Sequence, residues 1–312
     1  MRWSVLFIVL AASVLLVHAV GGDMDYGRVD TSLLKAVIRV IAEPLGSRKA
    51  MVGTAFLVSV PVGSGSDRVH CLITNKHMVG DWTFADGTVS TYRPAVRAFL
   101  YDSTKVPAVR EVRIPLVDNA SKPLPSRVVL HPNPTVDIAV IALEPAVIGS
   151  PPLGLTSFDL SYLLPYQKIP TWLTGLGDQV FALGYPSGIT SVTTSQPIAK
   201  VGYLSTPPGE PFAIDITTES RAGVPLSKRV SGSVMLVDGL LVPGNSGSPL
   251  ILASELKVRR SPTSNQLEFA TEQTKNYIIG IVSMGLDGSG LTLVFSADYI
   301  QEALSEFMKA RP

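Results

Sequence analysis

The sequence has a single cysteine, only four histidines and few charges in 312 residues. One cysteine cannot close an intramolecular disulfide, so the fold has to be held by its core. Cys71 lies in the apolar stretch Val69, Leu72, Ile73 and reads as a small packed residue rather than a nucleophile. Charged residues are 16% of the chain, the net charge is +1 and no basic run is long, which leaves no electrostatic footprint for nucleic acid. No ligand cluster for a metal is evident, and no cofactor is expected. What is abundant points the other way: 46% hydrophobic residues rule out a disordered chain, and 26 glycines with 24 prolines imply many turns. A β-rich globular protein of one large or two ordinary domains is expected.

Met1 and Arg2 precede an apolar run from Trp3 to Val17, and Val17-His18-Ala19 offers compact residues at a cleavage site. This pattern reads as a secretory signal peptide over residues 1–19, cut after Ala19. Left uncut, the run would be a membrane anchor, the one membrane association expected. Either way the body is expected outside the cytoplasm, secreted or periplasmic, and no second apolar run of that length follows. Residues 20–31 are Gly- and Asp-rich and read as a flexible lead-in.

The chain is organised around Pro243-Gly244-Asn245-Ser246-Gly247-Ser248-Pro249. A serine between glycines, in a proline-bounded turn leading into Leu250, Ile251 and Leu252, sits at a tight bend with backbone N–H groups able to converge. That is the setting an acyl-transfer nucleophile needs, and such a serine requires a histidine base and an acid to orient it. His18 is in the leader and His131 lies beside prolines, which leaves His70 and His77. His77 has the better setting, at the end of an apolar strand over residues 69–74 and before a short helical turn. Asp137 heads the run Val136-Asp137-Ile138-Ala139-Val140-Ile141-Ala142-Leu143, which is apolar enough to be a buried strand. A carboxylate there either caps a turn or needs a partner, and an imidazole N–H is a suitable one.

Further strands are expected over 36–42, 53–61, 95–101, 108–115, 180–184, 191–194, 198–205, 212–217, 233–237, 250–254, 277–284 and 291–295, with a loop over 222–229 and a polar excursion over 259–274. Prolines 145, 151, 152, 165 and 170 mark a connector over 145–177 between an N-terminal unit, 32–144, and a C-terminal unit, 178–312. From Ala297 the period changes: Ile300, Ala303, Leu304, Phe307 and Met308 form the apolar stripe of a closing helix, with Ser296 at its N-cap.

Ile73-Thr74-Asn75-Lys76-His77, Asp137-Ile138-Ala139 and Gly244-Asn245-Ser246-Gly247-Ser248-Pro249, in that order, resemble the trypsin/chymotrypsin-like serine proteases. The likeness is greatest to bacterial disulfide-free members of the HtrA/Deg type. The resemblance implies an all-β fold of two antiparallel six-stranded barrels with a C-terminal α-helix, His77 and Asp137 on the first barrel and Ser246 on the second. It implies an extracytoplasmic endopeptidase acting on protein or peptide through an acyl-enzyme, with the N–H groups of Gly244 and Ser246 as the oxyanion hole. Leu240 and the strand carrying Ser283, Met284 and Gly285 would line the substrate pocket, favouring a small or apolar residue before the scissile bond. Asp238 could instead approach that pocket and favour a basic one. Asn245 stands where animal trypsins carry an aspartate, so activation by a new N-terminus is not expected. Ser248 replaces the second glycine after the serine, and no peptide-binding domain is expected after the protease unit. The competing expectation is a latent or non-catalytic protein of the same fold that binds peptides or a partner. An esterase of the α/β-hydrolase type would want a glycine at Ser248 and a different order of triad residues.

Overall fold

The computed structural model describes residues 29–311 except 47, 63–66, 103, 106–107, 146–154, 170–173, 221, 240–241, 254–257, 261–266, 270–275 and 287; of 258–260 and 267–269 it describes the backbone alone. The expected leader, its cleavage site and most of the lead-in lie outside the described residues.

The first unit is built from β1 (Val37–Ala42), β2 (Met51–Pro61), β3 (Arg68–Thr74), β4 (Ala95–Tyr101), β5 (Val109–Pro115), β6 (Val128–Leu130) and β7 (Ala139–Leu143), with α1 (Lys76–Val79) after β3. The strands pair in the order β5-β4-β1-β2-β3-β7-β6, and β8 (Phe158–Asp159) adds to β2 in parallel. β2 is buried continuously from Gly53 to Val60 because both of its faces are covered. Ala55 and Leu57 enter the interior of this sheet, whereas Phe56, Val58 and Val60 face the second unit.

The second unit is a closed barrel of β9 (Gln179–Gly184), β10 (Ile198–Leu204), β13 (Val234–Asp238), β14 (Pro249–Leu252), β17 (Ile278–Gly285) and β18 (Leu291–Ser296), connected as β10-β13-β18-β17-β14-β9. Two ribbons project from it: β11 (Phe212–Glu219) with β12 (Pro225–Gly232), and β15 (Val258–Arg260) with β16 (Leu267–Phe269). The expected loop over 222–229 is therefore mostly strand. Its polar sequence reflects a ribbon exposed on most positions, with Ile216 and Val230 as the buried rungs. Residues 191–194, expected as a strand, form a turn in which the Ser191 hydroxyl accepts from the N–H and hydroxyl of Thr194.

The two units and the closing helix α2 (Ala297–Lys309) share one apolar layer. It runs from Phe56, Ile73 and Val140 through Leu183, Ile251 and Phe295 to Ile300, Leu304 and Phe307. The helix packs on β6 and β7 of one unit and on β17 and β18 of the other. Glu302 meets His131 at 3.0 Å, and Arg311 donates to the Ser126 carbonyl. Ser296 holds the N-cap position, but its hydroxyl donates to Asp298 Oδ2 instead of accepting from a helix N–H. The architecture is thus all-β with a C-terminal helix, as the resemblance implies, with one closed six-stranded barrel and, in place of a second closed one, a half-barrel sheet.

Candidate active site

Strand register brings His77 and Asp137 together. β3 and β7 are antiparallel with Thr74 opposite Ala139, so the residues just beyond the end of β3 face those just before the start of β7. His77 Nδ1 lies 2.7 Å from Asp137 Oδ2, and the His77 N–H reaches Oδ1 at 3.3 Å. Asn75, at the N-cap position of α1, does not cap the helix; its amide donates to the Asp137 carbonyl at 2.7 Å and anchors the loop. The Asp137 side chain is 1% exposed and that of His77 21%, so the acid is sealed and the imidazole edge is open.

Ser246 arrives from the other unit. The turn before β14 continues the ladder with β17, Gly247 N–H donating to Val282 O and Val282 N–H to Ser248 O, both at 2.9 Å. Gly244 and Gly247 have φ of +102° and +85°. A Cβ on Gly247 would lie 1.9 Å from the Thr54 carbonyl oxygen, and one on Gly244 2.3 Å from that of Tyr185, so only glycine fits this close approach.

Ser283 links the three residues. It is the extra residue of a β-bulge between Val282 and Met284, which turns its side chain away from the ladder. Its hydroxyl donates to Asp137 Oδ2 at 2.7 Å, and its carbonyl accepts the Ser246 hydroxyl at 3.1 Å. Among the described residues no hydrogen bond joins Ser246 to His77.

The turn uses its amides selectively. Asn245, Gly247 and Ser248 N–H groups donate to Val242 O, Val282 O and Asn245 O. Those of Gly244 and Ser246 have no acceptor among the described residues. Of the remaining expected site residues, Leu240 lies outside the described residues. Ser283 is buried, Met284 half-buried and Gly285 exposed at the end of β17, while Asp238 is exposed at the end of β13.

Two groups that the sequence did not single out surround the pair. Lys76 is 2% exposed, donates to the Asn133 carbonyl at 2.8 Å and lies 5.9 Å from the centre of the Trp82 ring. Burial pulls its amine down to about 8, with the Asp137 charge opposing and Lys228 adding to the shift. His131 accepts from Asn133 N–H on Nδ1, so its Nε2 carries the proton toward Glu302. Burial, then Lys76, lowers it to about 4, which keeps it neutral. Nothing in the sequence pattern distinguished Lys76 from a surface lysine.

No protein-family model and no curated protein sequence matches the chain. Among solved structures, the chain is similar to the active form of the Rv3671c protease from M. tuberculosis, at 18% identity over 88% of this chain and 82% of that one, with a TM-score of 0.49. An inactive form of the same protease matches at 17% identity over 88% of this chain and 90% of that one, with a TM-score of 0.45.

Proposed function

We propose that this chain is a serine endopeptidase acting outside the cytoplasm on protein or peptide substrates. The carrying observation is the sealed Asp137 carboxylate, 2.7 Å from His77 Nδ1 and joined through Ser283 to a serine in a glycine-bounded turn. A carboxylate on Nδ1 keeps the proton there, so Nε2 presents a lone pair as general base. The Ser246 hydroxyl leaves the Ser283 carbonyl by rotation about its Cα–Cβ bond and gives its proton to Nε2 as Oγ bonds to the substrate carbonyl carbon. The carbonyl oxygen becomes an oxyanion, and the Gly244 and Ser246 N–H groups, which have no acceptor among the described residues, receive it. The imidazolium returns the proton to the leaving amine as the C–N bond breaks, and water then releases the acyl group by the same steps. Met284 and Gly285 offer an uncharged wall beside the serine, which supports a small or apolar residue before the scissile bond.

A second reading has one observation in its favour. The Ser246 hydroxyl is engaged by Ser283 rather than His77, as in a latent protein that binds peptides without cleaving them. A fluorophosphonate probe separates the two. Labelling of wild type that vanishes in Ser246→Ala and His77→Ala, with cleavage of unfolded casein, is the expected result. A folded wild type that takes no probe overturns the peptidase reading.

A further inference from the structure

We propose that Thr54 is a positioning residue for the oxyanion-binding amides, an inference that rests on the peptidase reading above. β2 extends past the end of β3: their pairing stops at Phe56 opposite Ile73, leaving the N–H and carbonyl of Thr54 without a strand partner on that side. The nucleophile turn and Thr74 fill the place. Thr54 N–H donates to the Ser246 carbonyl at 2.8 Å, and Thr74 Oγ1 donates to the Thr54 carbonyl at 2.9 Å. The side chain reaches further. Thr54 Oγ1 donates to the Gly244 carbonyl at 2.7 Å and accepts from the Tyr185 N–H at 3.2 Å.

These bonds complete a set. The four successive carbonyls of the turn each have one donor: Ser187 N–H on Pro243, Thr54 Oγ1 on Gly244, Ser248 N–H on Asn245 and Thr54 N–H on Ser246. The Gly244 carbonyl shares its peptide plane with the Asn245 N–H, and this plane joins the two that carry the Gly244 and Ser246 N–H groups. Gly244, at φ +102°, has no side chain to limit rotation of its flanking planes. Among the described residues the Thr54 hydroxyl is the one side-chain group on that residue's carbonyl, and it comes from the unit that carries His77 and Asp137. By holding this middle plane it limits how far the flanking planes, and with them the Gly244 and Ser246 N–H groups, turn relative to the base.

The fold makes room for it. A Cβ on Gly184 would lie 3.0 Å from Thr54 Oγ1, 2.9 Å from Asn245 Oδ1 and 2.1 Å from Ser248 Oγ, so a glycine there leaves space for three polar side chains beneath the turn. Threonine also fixes its hydroxyl through a stiff χ1, which a longer polar side chain would not.

The test compares Thr54→Val, which keeps shape and backbone bonds but loses the hydroxyl, with Thr54→Ser, which restores it. In the whole chain, the rate of fluorophosphonate capture, kcat and KM for N-acetyl-alanine p-nitrophenyl ester, inhibition by phenylboronic acid and the acid limb of the kcat/KM–pH profile are measured. For Thr54→Val, kcat falls about 10- to 100-fold, KM stays within about threefold, and boronate affinity falls in parallel with kcat/KM. The acid limb of the profile does not move, and Thr54→Ser recovers activity to within about threefold of wild type. An active wild type with Thr54→Val at wild-type kcat overturns the inference while leaving the peptidase reading intact. So does a folded Thr54→Ser as impaired as the valine variant. A wild type inert to probe and ester overturns both.

Discussion

The closeness of the Ser246 turn to the first unit can be tested without any assumption about chemistry, by the matched substitutions Gly247→Ala and Gly177→Ala. Both glycines have left-handed backbones, φ +85° and +80°. An alanine at either position costs a similar conformational strain of about 1–2 kcal/mol. The surroundings differ. A Cβ on Gly177 meets nothing within 4 Å, whereas one on Gly247 would lie 1.9 Å from Thr54 O and 2.9 Å from Thr74 Oγ1. Thr54 O belongs to the backbone of buried β2, so no side-chain rotation relieves the overlap and the turn has to withdraw. Overpacking of this kind costs about 1–3 kcal/mol. The Thr54 N–H bond to Ser246 O contributes about 1 kcal/mol more when it breaks. Gly247→Ala should therefore be the less stable by about 2–4 kcal/mol. With a urea slope of about 2–3 kcal/mol/M, its unfolding midpoint falls about 0.7–2 M below that of Gly177→Ala. Both curves are read by tryptophan fluorescence and circular dichroism. Equal midpoints, or a lower one for Gly177→Ala, would refute the packing of the turn described here.

Asp137→Asn puts a neutral amide where His77 Nδ1 and Ser283 Oγ both find a carboxylate oxygen. Ester hydrolysis at pH 7 should fall about 10³- to 10⁴-fold, and a loss below tenfold would remove Asp137 from the proposed proton path. Burial lowers the Lys76 amine from its ordinary 10.5 to about 8. Within that window the unfolded chain keeps a proton that the folded one has released, so stability rises with pH. Urea midpoints of wild type should climb relative to Lys76→Met from pH 8 to pH 10, and a constant difference would mean that the amine is not desolvated. Burial pushes the Cys71 thiol up to about 12 with no exposed surface. Ellman's reagent should leave it untouched in the native protein and titrate it fully in guanidinium; rapid native reaction would contradict its place in the core.

The parts of the fold that the sequence revealed are those where burial writes a pattern. The apolar run ending at Leu143 could only be an interior strand, and the spacing of Ile300, Ala303, Leu304 and Phe307 could only be a helix laid on a core. β12 was hidden for the converse reason, since most of its residues face solvent and carry no apolar alternation. The site divides in the same way. His77, Asp137 and the Ser246 turn were legible because their residue types are chemically distinctive within their contexts. Ser283 was placed on the right strand but as a pocket wall; its bond to Asp137 depends on a bulge that no local sequence signal announces. Thr54 escaped notice altogether. Its partners Tyr185, Gly244 and Ser246 are remote in sequence, and only the docking of the two units gives its hydroxyl a task. Its flanking Gly53 and Ala55, small residues in an otherwise bulky strand, were the one available hint.

The placement of α2 across both units also bears on the order of events during synthesis. His77 and Asp137 can meet as soon as β3 and β7 have left the ribosome, because their register belongs to the first unit alone. The Ser246 turn meets Thr54 and Ser187, which precede it, but its ladder with β17 forms only when that strand follows, and the helix that grips both units comes after β17 and β18. Under the peptidase reading proposed above, a growing chain carries its base before the β17 ladder that seats its nucleophile is complete.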